Sequence, residues 1–146
     1  MSQLFLLGDD CLWNPSNGAA RLFQRHVALF EAELDLPSGI GELANDESEI
    51  TPELLEVFVN ALLARHRRTG HAIALALSEG FTATVLVLAE RAGIRVNWAL
   101  LAAGCEPPFQ DVQVSAGTGL SVPVYGVAWA DGLRARAREL GGRMPR

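Results

Sequence analysis

The chain has 146 residues, of which 49% are apolar and 20% charged, and a net charge of −5. This length suits a single domain with a sizeable core, and the composition excludes wholesale disorder. The acidic balance and the lack of a basic patch interleaved with aromatic residues argue against a nucleic-acid partner.

The N-terminal segment predicts a short strand, or an extended arm, over Gln3–Leu7 before a Gly8-Asp9-Asp10 turn. The opening MSQLFLLGDDC lacks the positive n-region of a signal peptide. Cys11 and Cys105 lie far apart and form no CxxC pair. We therefore expect a cytoplasmic protein whose cysteines are reduced thiols.

Two cap-plus-proline pairs predict the starts of the first two helices. Asn14-Pro15 predicts a helix over Pro15–Leu34, although Gly18 weakens its first turn and a start a few residues later would fit too. Its mostly apolar face is expected to contain Ala19, Leu22, Phe23, His26, Leu29, Phe30 and Glu33.

Thr51-Pro52 follows an acidic loop, Glu42–Glu49, and predicts a helix over Pro52–Thr69. That helix is expected to bury Leu54, Leu55, Phe58 and Leu62, with Val59 and Leu63 as further candidates.

The third helix is predicted over His71–Ala92, HAIALALSEGFTATVLVLAERA, which is apolar nearly all round. Such a helix must be enclosed by other helices or by lipid. Glu79 near its centre would cost roughly 3 kcal/mol on insertion into a membrane, and two helices with apolar stripes precede it. These features favour a buried helix over a membrane span. The sequence thus predicts a mainly α fold, a small antiparallel bundle around a buried central helix at 71–92.

The character of the chain changes after Gly93. Two β-like runs around Gly117-Thr118-Gly119 can form a hairpin, with Pro123 confining the second run to an edge. Asp131–Leu140 predicts a basic helix, and the final GGRMPR a frayed tail. We therefore divide the chain into a helical core domain, residues 1–93, and a C-terminal extension, residues 94–146.

Glu79 is the first candidate site residue, because a buried ionised carboxylate is costly unless it is paired or hydrogen-bonded. It can be a general acid or base, a ligand contact in the core, half of an ion pair with an arginine, or a residue just off the enclosed face of the helix. The next candidates are the acids of Asp46-Glu47-Ser48-Glu49, which lack calcium-loop spacing and a paired histidine. Capping and solvation explain these acids without a metal, so we expect no metal site.

The segment Trp13-Asn14-Pro15-Ser16-Asn17-Gly18 supplies two more candidates, Trp13 and Asn14. An aromatic ring followed by amides and a hydroxyl can form a recognition loop, or the tryptophan can simply pack against the helix that follows. The three histidines form no HExxH, ExxH or HxxxH pair, and no GxSxG or GxxxxGK[ST] motif occurs. The sequence therefore predicts no cofactor.

Several motifs in order, WNPSNG, PSGIG, DESEI and SEGFTATVLVLAERAG, resemble a family of small actinobacterial proteins of unknown function. The resemblance covers about residues 1–93, and the family's members often end near the position of Gly93. It implies a cytoplasmic protein and a domain boundary at Gly93, and supplies no chemistry. It also draws attention to the candidates Trp13, Asn14, Asp46, Glu47, Glu49 and Glu79, which lie inside the matching motifs.

The function predicted from these features is that of a small binding or regulatory module that acts through protein–protein contacts, as a homodimer. Residues 1–60 hold eleven acids and two arginines, whereas residues 61–146 hold six acids and ten arginines. Such charge polarity can pair two parts of one chain or of two chains, or simply mark two differently solvated faces. Two alternatives stay open: an isomerase- or cyclase-like enzyme using Glu79 with Trp13 and Asn14, and an antitoxin-like inhibitor that presents acids 46–49.

Overall fold

The computed structural model describes residues 2–69, 72–98 and 127–146, which hold four α-helices and a three-stranded sheet. The strands are β1 (Leu4–Leu7), β2 (Asp10–Trp13) and β3 (Glu47–Glu49). The helices are α1 (Asn17–Leu34), α2 (Pro52–Arg68), α3 (Ala72–Arg91) and α4 (Val127–Gly141). The mainly α fold with a short N-terminal strand is confirmed, and the antiparallel bundle stays a prediction. The hairpin predicted around Gly117–Gly119 lies outside the described residues.

The sheet has the order β2-β1-β3, with β1 antiparallel to β2 and parallel to β3. Part of the predicted acidic loop is therefore a strand. Ser48 is fully buried between exposed Glu47 and Glu49, which is the alternation of a strand with one buried face. The Ser48 hydroxyl donates a hydrogen bond of 2.6 Å to the carbonyl of Gly41, so this one buried polar group is satisfied.

Helix α1 begins later than Pro15, because Ser16 and not Asn14 is its N-cap. The Ser16 hydroxyl accepts a hydrogen bond of 3.4 Å from the amide of Ala19. The buried face is also narrower than predicted: it consists of Ala20, Phe23, Val27 and Phe30, and Leu22 and Leu29 are exposed. On α2, the buried set is confirmed except for Leu54, which is exposed.

The PSGIG segment packs against the start of α2. Gly39 has φ of +76°, and a Cβ there would lie 2.6 Å from the carbonyl oxygen of Thr51 and 2.7 Å from the nitrogen of Leu55. The carbonyl of Gly39 accepts a hydrogen bond of 2.7 Å from the amide of Thr51. Buried Ser38 donates a hydrogen bond of 2.6 Å to the carboxylate of Glu31. Only glycine combines this φ with so close an approach.

Helix α3 is enclosed over only half its length, so the prediction of a uniformly buried central helix is wrong. From Phe81 to Ala89 its residues are buried apart from half-buried Thr84, whereas Ile73 and Leu77 in the N-terminal half are 49% and 76% exposed. The buried half packs against the sheet, α2 and α4, and these elements enclose only that part of the helix. The reason for the error is that an evenly apolar sequence does not show which part will find a partner.

The C-terminal segment packs onto this core through α4, which buries Ala130, Leu133 and Ala137. Arg91 at the end of α3 donates hydrogen bonds to the carbonyls of Leu12 (2.5 Å), Gly141 (3.0 Å) and Met144 (2.9 Å). The prediction of a frayed tail is therefore wrong, because a guanidinium holds the tail by its backbone. The domain boundary at Gly93 stays a prediction.

Gly39→Ala should lower the free energy of unfolding by about 2 kcal/mol or more, because it forces an L side chain into the left-handed region against backbone atoms. Gly80→Ala is the matched control, since no described heavy atom lies within 4 Å of its Cβ position. Because this substitution removes a glycine from a helix interior, it should raise the free energy of unfolding by about 0.5–1 kcal/mol. Urea denaturation checks both values, and an equal response of the two variants would contradict the packing described for Gly39.

Arg91→Met should lower the free energy of unfolding by about 3 kcal/mol, because it removes charged hydrogen bonds and strands three carbonyls. Arg91→Lys keeps the positive charge but lacks the planar fork, so its free energy of unfolding should lie between those of the native protein and Arg91→Met. Hydrogen exchange of the Asn14 amide, which donates to the carbonyl of Pro145 at 2.9 Å, reports release of the tail. An unchanged exchange rate of the Asn14 amide in Arg91→Met would show that the hydrogen bonds of Arg91 do not hold the tail in place.

Candidate functional site

A cleft of about 380 Å³ lies between α1, α2 and α3, along the exposed half of α3 and as far as buried Thr82. Helices α1 and α3 each supply four side chains to it, and α2 supplies three together with its C-cap residue Thr69; they are apolar in the walls and polar at a few points. These residues are His26, Leu29, Phe30, Glu33, Leu62, Arg65, His66, Thr69, Ala74, Leu77, Ser78 and Thr82. A concave, mainly apolar site with a few convergent polar groups is the usual form of a ligand site.

An ion pair lies at the edge of the cleft. The Arg65 guanidinium is 2.7 Å from the Glu33 carboxylate, and both side chains are exposed by more than a third. The guanidinium carbon also lies 6.0 Å from the centre of the Phe30 ring. A pair as exposed as this contributes little to stability. Because the Glu33 carboxylate and the Arg65 guanidinium have opposite charges, the pair adds no net charge to the cleft.

Two histidines line the cleft in different environments. Burial lowers the pKa of His66 below its ordinary value of 6.5, so the neutral imidazole dominates at neutral pH. The Ser78 hydroxyl lies 3.5 Å from Nδ1 of His66 and donates a hydrogen bond of 2.8 Å to the carbonyl of Ala74. His26 stacks on Phe81 at 5.9 Å, with Nδ1 at 2.9 Å from the carbonyl of Leu22.

Thr82 lies at the base of the cleft, one helical turn beyond Ser78. It is fully buried, and its hydroxyl has no hydrogen-bond partner among the described residues. The neighbouring Thr84, in contrast, donates to the carbonyl of Gly80 at 2.8 Å. A buried unpaired hydroxyl is costly and rare, so it requires a structural or functional reason.

The structure places Trp13 in the aromatic core. Its ring stacks on Phe5 at 5.2 Å and meets Phe23 edge-on at 5.2 Å. Asn14 is half-buried: its backbone N–H donates to the carbonyl of Pro145 in the C-terminal tail, and its side-chain Oδ1 is buried with no partner among the described residues. The packing interpretation of this segment therefore accounts for the tryptophan, while a binding role for either residue stays a prediction.

The acids Asp46, Glu47 and Glu49 are exposed around β3. Asp46 accepts a hydrogen bond of 3.2 Å from the Gln3 amide, and Glu49 accepts one of 3.0 Å from the amide of Gly8. Two of the three acids thus connect β3 to the hairpin of β1 and β2. No group of three or more metal-binding side chains occurs in the described ranges.

Glu79 is exposed, which agrees with the alternative of a position off the enclosed face and contradicts a buried carboxylate in the core. It lies in the half of α3 that the other described elements leave open, and it is not among the described residues that line the cleft. Helix α3 over Ile73–Arg91 is long and apolar enough to cross a membrane, with 44% of the tested window buried. This length and composition are shared by core helices of soluble proteins, so they carry little weight.

Sequence reasoning missed the cleft because its polar residues come from three helices. His66 and Ser78 are twelve positions apart and Glu33 and Arg65 thirty-two, and no local spacing connects them. The available signal was the His26–Phe30–Glu33 face of α1, which places two titratable groups on an otherwise apolar stripe.

The chain belongs to a family of unknown function (DUF6086), whose model matches residues 1–146. The match includes residues 94–146, so the expectation that family members end near Gly93 does not hold for this family. No curated protein and no solved structure matches the chain.

Lowered pH should weaken the fold through His66. Its pKa is below 6.5 in the folded state, so the unfolded chain binds the proton first as the pH falls. The stabilising contribution of His66 is complete above about pH 6.5 and is lost as the pH falls toward the folded pKa. We expect the urea midpoint of the native protein to fall more between about pH 7.5 and pH 5 than that of His66→Gln. Equal slopes for the two proteins would contradict this assignment.

Proposed function

We propose that this member of the family is a cytoplasmic binding module that acts through protein–protein contacts, as a homodimer. Its contact surface consists of Leu22 and Leu29 on α1 together with Ile73 and Leu77 on α3. The single observation that carries the proposal is the exposure of these four large side chains. They are 59%, 54%, 49% and 76% exposed, in that order.

The four side chains lie on two helices, α1 and α3, that line the same cleft. Leu29 and Leu77 both line the cleft, from opposite sides. Leu22 lies two turns before Leu29 and Ile73 one turn before Leu77, so each lies on the same side of its helix as its neighbour. Contiguous exposed apolar surface with polar residues at its border is typical of an interaction site.

A second copy of this chain is the partner that the charges favour. Glu33 and Arg65 lie beside the surface and carry opposite signs. A two-fold axis places a surface against itself, so the carboxylate of one copy can face the guanidinium of the other. The uneven charge along the chain, acidic in residues 1–60 and basic in residues 61–146, supports the same pairing of unlike regions.

The two alternatives find less support. An enzyme that uses Glu79 requires a cavity at that residue, and the described cleft is lined by other side chains. An antitoxin-like inhibitor requires accessible acids, and Asp46, Glu47 and Glu49 are exposed. Exposure is the ordinary state of a carboxylate, however, and it does not distinguish a partner site from a solvated strand.

The double variant Leu22→Glu/Ile73→Glu should be monomeric at concentrations where the native protein is a dimer, because it places two carboxylates on each apolar face. The measurement is sedimentation velocity over a hundredfold range of concentration. Val57→Glu is the control, since Val57 is 55% exposed on α2, about 12 Å along the helix from Arg65. A native protein that is monomeric throughout, or a Val57→Glu variant that dissociates equally, would refute the proposed surface.

A further inference from the structure

We propose that the cleft between α1, α2 and α3 binds a small, uncharged aromatic molecule that carries one hydroxyl group. This goes beyond the proposed protein contact, because it assigns a ligand to the interior of the cleft and not to its rim. The inference depends on three properties of the cleft: its size, its net charge, and the polar groups at its base.

The size of the cleft fits a single ring with substituents. Its volume of about 380 Å³ lies at the lower end of the range for ligand pockets, and it exceeds the ~150 Å³ that suffices for benzene in an engineered cavity. The walls are formed by Leu29, Phe30, Leu62 and Leu77. Phe30 is buried and held between Phe81, which stacks on it in parallel at 4.6 Å, and the Arg65 guanidinium, so it contributes a fixed apolar ring to the lining of a kind common in ligand pockets.

The charges of the cleft favour an uncharged ligand. The positive charge of Arg65 is already matched by Glu33 at 2.7 Å. Burial holds His66 in its neutral form at neutral pH by lowering its pKa. A charged ligand would lose its hydration without gaining a free counter-ion from these residues, and such a transfer is costly.

The polar groups at the base call for a hydroxyl group. The Ser78 hydroxyl donates to the carbonyl of Ala74, and its oxygen, which lies 3.5 Å from Nδ1 of His66, has two lone pairs and can accept one further hydrogen bond. One turn further along α3, the Thr82 hydroxyl has no partner among the described residues, but it is fully buried, so it can donate only to a ligand that displaces the atoms that cover it. A ligand hydroxyl both donates and accepts, and it is therefore the simplest group that satisfies both side chains.

The test compares 4-methylphenol with toluene, which has the same ring and methyl group but no hydroxyl. Both are titrated into the full chain, and chemical shifts of the α3 amides are followed by NMR. We expect 4-methylphenol to bind about three- to tenfold more tightly, as one additional neutral hydrogen bond allows. Binding of neither compound up to millimolar concentration, or equal binding of both, would overturn the proposal.

Two variants assign the hydroxyl contact. Thr82→Val keeps the shape of the side chain and removes the donor, and Ser78→Ala removes the acceptor. Each should abolish the preference for 4-methylphenol and leave toluene binding unchanged. Because Thr82→Val also removes an unpaired buried hydroxyl, it should fold at least as well as the native chain. A preference that persists in both variants would refute the assignment.

The monomeric variant Leu22→Glu/Ile73→Glu separates this inference from the proposed dimer. Neither substituted residue lines the cleft, so the variant should keep the preference for 4-methylphenol. A native protein that is monomeric yet selects 4-methylphenol would refute the dimer and support the ligand site. A native protein that dimerises but does not select 4-methylphenol would support the dimer and refute the ligand site.

Discussion

Arg91 donates hydrogen bonds to three backbone carbonyls that lie at distant positions in the chain, in β2, at the end of α4 and in the C-terminal tail. Burial and nearby Arg146 lower the pKa of this guanidinium, and the carbonyl dipoles around it offset the loss of hydration. The planar fork reaches several acceptors at once, which an ammonium group cannot do. The fixed end of α3 in turn keeps the residues from Phe81 to Ala89 in the core.

Among the described residues, no guanidinium ties the other end of α3 to distant backbone carbonyls. Its first half presents Ile73 and Leu77 to solvent and forms one wall of the cleft, while Glu79 is exposed and does not line the cleft. One apolar helix thus serves two purposes: its second half stabilises the fold, and its first half supplies surface for binding. The contact surface and the ligand cleft both depend on this division, because Leu77 belongs to each of them.

Three of the four motifs that carry the family resemblance have mainly architectural roles in the described residues. Ser16 of WNPSNG caps α1, Gly39 of PSGIG lets the chain approach the start of α2, and Ser48 of DESEI anchors β3 to Gly41. A motif of this kind is restrained by backbone geometry and buried hydrogen bonds, so its presence does not by itself indicate chemistry. Thr82, whose buried hydroxyl has no partner among the described residues, lies outside these three motifs but inside the fourth, SEGFTATVLVLAERAG.

The sequence by itself determined the helices α2 and α3 closely, since Pro52 suits the first turn of a helix and the apolar run between Gly70 and Gly93 is long and uninterrupted. It also indicated β1 and the helix near the C-terminus. Only the tertiary structure decided that Glu47–Glu49 is a strand, because its partner Leu4–Leu6 lies more than forty positions away. It likewise decided which half of α3 is buried, since an evenly apolar helix has no face that pattern alone can select. The cleft has the same origin: its polar side chains become neighbours only when three helices pack together.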